Sequence, residues 1–457
     1  MKNKSKERSI RRAKDKLLFF KAFCILVQVG LYIIGWELMQ EQISFYAQTS
    51  FLLFFIYFLI LFLLHETYGG LKVGKSKVIT LYTAQLLTLL IGDSLIFLIS
   101  ILSIHRIPNI FTFLIVFIIQ LLFSIAWCTW ANKLYSVLTP AKRTAVIYQT
   151  DEDLETLQNI CNTHKNYEEE LVICAADFED NPEALLSQLD EMESIFVGSL
   201  SSTMRNTLIQ FGLDHHITIN LRPTMEDIMI STAKRRFLTN IPMLKVGIRS
   251  ISLPVRIIKR TMDLLASGLL LILSSPVMAV IAILVRAEDH GPAIYRQKRL
   301  TIGGKVFEIL KFRSMRVDAE KDGIARLASE KDDRITKIGH FIRATRLDEL
   351  PQLWNIFKGD MSLVGPRPER PEIAEQYLAE LPQFNARLQV KAGLTGYAQV
   401  NGKYNTTPKD KLLMDLMYIS GISISLDVKL ILQTIHIILK KDSTEGIQEG
   451  QTTALKH

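Results

Sequence analysis

Four apolar runs, each long enough to cross the hydrocarbon of a bilayer, stand near the start of this chain, at about 17–36, 46–64, 79–104 and 109–130. A helical crossing takes about 20 predominantly apolar residues, and it must bond all of its backbone groups internally. The runs therefore predict a four-helix transmembrane block over 1–140. The distribution of Lys and Arg sets its orientation. Lys2, Lys4, Lys6, Arg8, Arg11, Arg12, Lys14 and Lys16 precede the first run. They resemble the charged start of a signal peptide, but the run is of spanning length and no small-residue cleavage site follows. The loop from Glu37 to Ser44 is acidic, the second loop holds Lys72, Lys75 and Lys77, the third only Arg106, and Lys133, Lys142 and Arg143 follow the last run. This alternation puts both ends of the block, and the soluble parts after it, in the cytoplasm of a multi-pass cell-membrane protein. Asp93, inside the third run, has two readings: a functional acid or a hydrogen-bonded interior one.

At 457 residues the chain is too long for one core, and 48% of it is apolar. The net charge of +8 suits an anionic membrane surface or phosphate ligands. Nucleic acid is not an expected partner, because no basic stretch is interleaved with aromatics. Cys24 and Cys128 lie in apolar runs, and Cys161 and Cys174 lack zinc spacing, so the four cysteines read as reduced, mostly buried thiols.

From Thr144 the pattern becomes short apolar runs alternating with polar helical ones. Residues 144–148, 171–174, 194–197 and 217–220 read as buried strands, and 152–163, 182–192 and 201–211 as the helices between them. That succession predicts a Rossmann-like α/β middle domain over 141–240. A dinucleotide site needs a glycine-rich turn after the first strand. Gln149-Thr150-Asp151 stands there instead, which favours a structural, dimerising or regulatory module.

A third domain is expected over 250–446, with a flexible tail at 447–457. It opens on Arg256, Lys259 and Arg260, followed by an apolar run from Leu264 to Val285 that Ser274-Ser275-Pro276 interrupts. A fifth crossing with a proline kink is one reading. Both flanks are basic, however, so both prefer the cytoplasm. A helix that enters, breaks at Ser275-Pro276 and returns on the same face meets both constraints. Asp263, within a turn of Lys259 and Arg260, is placed to tie its start to the soluble part. Tyr295–Leu300 and Lys305–Phe312 read as a hairpin that points Lys311 and Arg313 to solvent or a ligand. Residues 372–380 and 409–420 read as amphipathic helices. Leu426–Leu439 suits either the membrane interface or a core. Gly393, Gly396 and Gly402 permit close approach to a nucleotide or simply make turns.

The most informative stretch is Ile335–Arg370. Asp348 and Glu349 stand where a helix is expected to begin, with Pro351 in its first turn, Leu350, Leu353, Trp354 and Phe357 at helical spacing, and Gly359 to end it. A helix N-terminus keeps a carboxylate ionised and attracts phosphate. Upstream, Ile335, Ile338, Phe341 and Ile342 form an apolar stripe opposite Lys337, His340 and Arg343. Downstream, Gly365-Pro366-Arg367-Pro368 is a stiff loop that fixes one guanidinium. Asp348 as a mere cap and the arginines as a solvated face are the alternative.

Five strings in order, KRTMDLLASGLLLILSSP, YRQKRLTIGGKVFEILKFRSM, RLDELPQLWNIFKGDMSLVGPRP, VKAGLTGYAQVNG and DLMYI, resemble the bacterial sugar transferase family, the polyprenyl-phosphate hexose-1-phosphate transferases, from about Val255 to Gly446. The resemblance implies an α+β monotopic phosphoglycosyl transferase domain with a re-entrant membrane helix broken at Ser275 and Pro276. It implies transfer of a sugar 1-phosphate from a UDP-sugar to undecaprenyl phosphate, with UMP released. The product would begin an exopolysaccharide, capsule or O-antigen-type glycan. It further implies Asp348 as nucleophile, forming an aspartyl phosphosugar, and magnesium near Asp348 and Glu349. Glu349 then either helps hold the metal or takes the acceptor's proton. Arg343 and Arg367, with Pro366 and Pro368, would bind phosphate, and Lys311 and Arg313 would assist. Membrane lipid and a second copy, as a homodimer, are the expected partners. Two alternatives remain: a catalytically inactive scaffold or regulator, and direct transfer with Asp348 only holding magnesium.

Overall fold

The computed structural model describes residues 2–40, 47–74, 78–104, 109–164, 166–179, 181–231, 233–246, 251–317, 334–402 and 406–438. Lys75, Lys77, Arg106 and the expected tail at 447–457 lie outside these residues. The chain divides into two compact units, Met1–Arg222 and Pro223–His457.

The first unit begins with helices α1 (Lys2–Gln40), α2 (Ala47–Tyr68), α3 (Val78–Ile104) and α4 (Ile110–Leu138). Each carries a stretch long and apolar enough to cross a membrane, as befits a membrane protein. Leu18, Phe51, Ile79 and Phe111 face outward, while Tyr32, Tyr57, Leu61, Leu89 and Ile96 are buried together. Polar side chains tie the interior. Gln28 donates to Gln85 at 2.7 Å and to Ser124 at 3.2 Å, and Gln120 donates to the Tyr57 hydroxyl at 3.0 Å. That hydroxyl donates in turn to Asp93, so the acid is hydrogen-bonded where no water can serve it.

Strands β1 (Lys142–Tyr148), β2 (Tyr167–Cys174), β3 (Ser194–Val197) and β4 (Thr218–Leu221) alternate with α5 (Asp151–Thr163), α6 (Pro182–Leu189) and α7 (Ser202–Asp214). All strand pairs are parallel, in the order β2-β1-β3-β4. Ala145, Val146 and Ile147 are fully buried, as in a strand covered on both faces. The strand order reverses between β1 and β3, where such folds bind ligands beyond the carboxyl ends of the strands. Here the chain fills that place itself. Asp153 accepts from Ser199 N at 2.9 Å and from Arg222 Nη1 at 2.5 Å, and a Cβ on Gly198 would come within 2.9 Å of Asp153.

The second unit starts with α8 (Met225–Ser231) and an exposed hairpin of β5 (Lys234–Leu238) and β6 (Ile241–Lys245). Sequence reading assigns most of this stretch to the middle domain, yet Ile228 lies in the core of the second unit. There follow α9 (Leu253–Asp289), β7 (Ile294–Leu300) paired antiparallel with β8 (Val306–Phe312), α10 (Lys337–Ala344), α11 (Gln352–Lys358), β9 (Ser362–Val364), α12 (Pro371–Glu380), β10 (Gly393–Thr395) parallel to β9, α13 (Tyr397–Asn401), α14 (Pro408–Ser420) and α15 (Ile424–Ile438). The β7–β8 turn carries Gly303 at φ 67 and Gly304 at φ 75, a conformation that side chains disfavour. Phe307, Ile356, Val364, Tyr377, Leu416 and Leu430 belong to one core; α15 therefore packs one face inward.

Helix α9 departs from expectation. It runs from Leu253 to Asp289 with no interruption at Pro276. Proline has no N–H for the carbonyl four residues back, at Ile272. The Ser275 hydroxyl donates to that carbonyl at 2.8 Å, and Ser274 donates to Leu270 O at 2.6 Å. Both ends of α9 are tied to the same unit. At its start, Asp263 accepts from Leu363 N at 2.9 Å and Ser362 Oγ at 3.1 Å, Lys259 donates to Asp427 at 2.6 Å, and Arg260 donates to the carbonyls of Ile356 and Phe357 at 2.8 Å. At its end, Asp289 binds Arg313, and Glu288 accepts from Lys337 N at 2.8 Å. Ala266, Leu271, Ile281 and Val285 pack inward, while Leu265, Leu269, Ile272, Leu273 and Ile283 stay exposed.

Candidate active site

The site is built where the chain turns sharply after α10. Thr336 caps that helix by accepting from Gly339 N at 2.9 Å. Arg346 then adopts a left-handed conformation, φ 58, and Leu347–Glu349 form a single 3-10 turn. Asp348 and Glu349 thus precede α11 rather than opening it, and Pro351 is its N-cap residue instead of lying in its first turn. The apolar stripes also need correction. Phe341 is 62% exposed, Trp354 52% and Phe357 40%. Leu347 and Leu350 anchor the turn instead, against Ile281, Val285, Phe312 and Ile342.

Asp348 is 8% exposed, and its Oδ1 is buried without a hydrogen-bond partner. Glu349 is held from three sides: Arg367 Nη2 lies 2.9 Å from its Oε1, Lys311 Nζ 3.5 Å and Arg346 Nη1 3.9 Å. The two carboxyls consequently diverge. Burial pushes Asp348 up from the ordinary aspartate range and Glu349 adds to this, while Lys311, Arg343 and Arg346 oppose. Burial works in the same direction on Glu349, but Arg367, Lys311 and Arg346 outweigh it and hold the carboxyl well below its usual range. Burial pulls the Lys311 ammonium down, with Glu349 opposing. Glu349 is thus the more strongly held in its ionised form, and Asp348 is the more readily neutralised neighbour. Arg343 is half-buried and contributes to the field at Asp348.

The loop carrying Pro366, Arg367 and Pro368 is gripped through its backbone. Gly365 N donates to Thr395 O at 2.8 Å, Gly393 N to Pro366 O at 2.9 Å, Arg387 to Arg367 O at 2.8 Å and Arg299 to Pro368 O at 3.1 Å. Of the three glycines read as admitting a nucleotide or making turns, Gly393 and Gly396 admit this loop. A Cβ on Gly393 would stand 2.1 Å from Gly365 N, and one on Gly396 2.1 Å from Gly365 O.

Asp348, Glu349, Arg343, Arg367, Lys311 and the two prolines converge. Arg313 does not. It is 6% exposed and binds Asp289 and, at 3.4 Å, Val285 O, where a cation suits the carboxyl end of α9. Asp263, Ser275 and Pro276 serve α9, away from the carboxylates. Sequence reasoning missed Arg346, Arg387 and Asp415. Asp415 lies in the DLMYI string, and Arg346 adjoins the carboxylates, but neither position reveals a partner. Among the described residues no three His, Cys, Asp or Glu gather as a metal set. The orphaned Asp348 oxygen beside Glu349 fits magnesium, which keeps several waters and takes substrate phosphates as its other ligands.

The family described as Bacterial sugar transferase matches residues 254–441, which contain this whole site. A UDP-glucose:undecaprenyl-phosphate glucose-1-phosphate transferase of Caulobacter vibrioides is 40% identical over 190 residues, 40% of this chain and 71% of that one. A UDP-N-acetylgalactosamine-undecaprenyl-phosphate N-acetylgalactosaminephosphotransferase of Aeromonas hydrophila is 42% identical over 185 residues, 40% of this chain and 44% of that one. A UDP-glucose:undecaprenyl-phosphate glucose-1-phosphate transferase of Klebsiella pneumoniae is 43% identical over 184 residues, 39% of each chain. The matched stretch is thus less than half of the latter two proteins. Since the match runs from the start of α9 through the carboxylate pair to α15 and spans most of the Caulobacter protein, the chain belongs to the bacterial sugar transferase family.

Proposed function

We propose that this protein transfers a sugar 1-phosphate from a UDP-sugar to undecaprenyl phosphate, releasing UMP, in two steps at Asp348. The observation that carries this reading is the unpartnered, buried Asp348 oxygen beside a Glu349 locked as an anion by Arg367, Lys311 and Arg346. In the first step a carboxylate oxygen of Asp348 attacks the phosphorus bearing the sugar. The bond from this phosphorus to the UMP oxygen breaks, and an aspartyl phosphosugar remains. In the second, an oxygen of the lipid phosphate attacks the same phosphorus and Asp348 is freed. Asp348 and Glu349 would hold magnesium, whose contribution when bound is neutralisation of diphosphate charge. Arg367 and Arg343 supply cations for phosphate oxygens.

That α9, unbroken at Pro276, enters the membrane surface without crossing it belongs to the same proposal. Both of its ends bind one unit, one face packs inward along its length, and the opposite face is apolar and exposed. A helix crossing the bilayer would have its ends on opposite sides. A shallow helix, dipping from the cytoplasmic side, brings Asp348 to the depth of a lipid phosphate. The glycan begun this way would be an exopolysaccharide, capsule or O-antigen-type polymer, and the enzyme would act as a homodimer.

The test is incubation of the full-length protein with UDP-sugars and magnesium, without lipid acceptor. UMP should appear, and mass spectrometry should find a sugar phosphate on the peptide containing Asp348. The adduct should vanish on adding undecaprenyl phosphate and never form in Asp348→Asn. If UMP appears only when both substrates are present and no adduct forms, transfer is direct.

A further inference from the structure

Behind the loop that carries Arg367 lies a buried charge cluster that the proposed chemistry leaves unused. Asp415 is 0% exposed and Arg387 2%. Arg387 Nη2 lies 2.8 Å from Asp415 Oδ2 and donates at 2.8 Å to the backbone carbonyl of Arg367. Its Nη1 lies 3.6 Å from Glu369, which Lys411 also holds at 2.7 Å. A buried ion pair is a poor source of stability, since well-packed apolar residues often replace it without loss. The pair does have a positional use, because one nitrogen, Nη2, lies against Asp415 Oδ2 and donates to the peptide carbonyl of Arg367 at the same time. Through-space placement of a guanidinium matters where misplacement of about 1 Å costs roughly a hundredfold in rate.

We propose that Arg387, clamped by Asp415, is a positioning residue for Arg367: it fixes the Arg367 peptide so that the guanidinium stays on Glu349 and over the substrate phosphates. The last clause rests on the function proposed above; the fixing of the loop does not.

The test uses full-length protein in lipid nanodiscs. Arg387→Met with Asp415→Leu removes both charges together, so neither partner is stranded and the net charge of the cluster is unchanged. Hydrogen exchange of the peptide covering Gly365–Glu369 should accelerate about tenfold, the loss of one hydrogen bond from a charged donor. UMP release should fall roughly a hundredfold in kcat/KM. In an Arg367→Ala background the same double change should cost little more, because its target is gone. Unchanged exchange in the loop overturns the proposal, as does a loss that multiplies with that of Arg367→Ala. If the double variant does not fold, Arg387→Lys keeps a cation for Asp415 but withdraws Nη2, the one nitrogen that meets both Asp415 Oδ2 and Arg367 O. It should show the same loosened loop, and wild-type exchange with full turnover would overturn the idea. If wild-type protein releases no UMP from any UDP-sugar, the function proposal falls, and the exchange measurement still decides the positioning.

Discussion

Replacing Ser275 by Ala tests how α9 survives its proline. The Ile272 carbonyl has no N–H to receive at position 276, and the Ser275 hydroxyl supplies one donor at 2.8 Å. Removing that donor leaves a carbonyl unsatisfied in what is proposed to be the hydrocarbon region. An unmade bond of this kind costs about 1–3 kcal/mol, and measured membrane cases average lower, about 0.6 kcal/mol. We therefore expect about 1 kcal/mol, a factor of about five in local opening. The assay is hydrogen exchange of peptides from Leu270 to Ile281 in nanodiscs, comparing Ser275→Ala in two backgrounds. With Pro276 present, exchange should rise about fivefold. With Pro276→Ala, a backbone N–H returns to Ile272 O, and Ser275→Ala should change exchange by less than about twofold. An equal effect in both backgrounds would show that the hydroxyl does not substitute for the missing N–H.

Three further outcomes are expected. In protein freed of its native cysteines, Arg256→Cys and Ala287→Cys, which flank the apolar run, should both be labelled from the cytoplasmic side only; labelling from opposite sides would end the reading of α9 as a helix that does not cross. UMP release should fail on the acid side above the ordinary aspartate pKa of about 3.9, because burial and Glu349 raise Asp348 and its ionised form is lost as pH falls through that raised value. Arg343→Gln removes a cation favouring the ionised form and should move this limb to higher pH; an unmoved limb would separate Arg343 from Asp348. The full-length protein should bind neither NAD nor FAD at micromolar concentration by calorimetry, since Asp153 and Arg222 occupy the place where a parallel sheet of this order would receive them; measurable binding would contradict that account.

The strands and helices of the α/β part were legible to within a few residues, because period and turn residues are local signals. The same holds for the β7–β8 hairpin and for α12 and α14. Asp348, Glu349 and Arg367 were legible through the family resemblance of their string, whereas Arg343, outside the five strings, was legible from the helix face it shares with Lys337 and His340. Arg313 was not, since two residues of one strand, Lys311 and Arg313, have different neighbours. Lys311 meets Glu349, whereas Arg313 meets the end of α9.

What the sequence determined by itself is therefore whatever depends on nearby residues: the apolar length of the membrane segments, the alternation of strand and helix, and the presence of a carboxylate pair beside basic loops. Tertiary structure alone decided which charges meet. The left-handed Arg346 turns the carboxylates in front of α11, a hydroxyl replaces a proline's N–H, Lys311 and Arg367 reach Glu349 from separate segments to join the neighbouring Arg346, and Arg387 reaches the carbonyl of Arg367. Propensity and periodicity act over a few residues, whereas burial and charge pairing act through space between positions remote in the chain. For that reason the identity of the carboxylates could be read along the chain, while their unequal acidity could not.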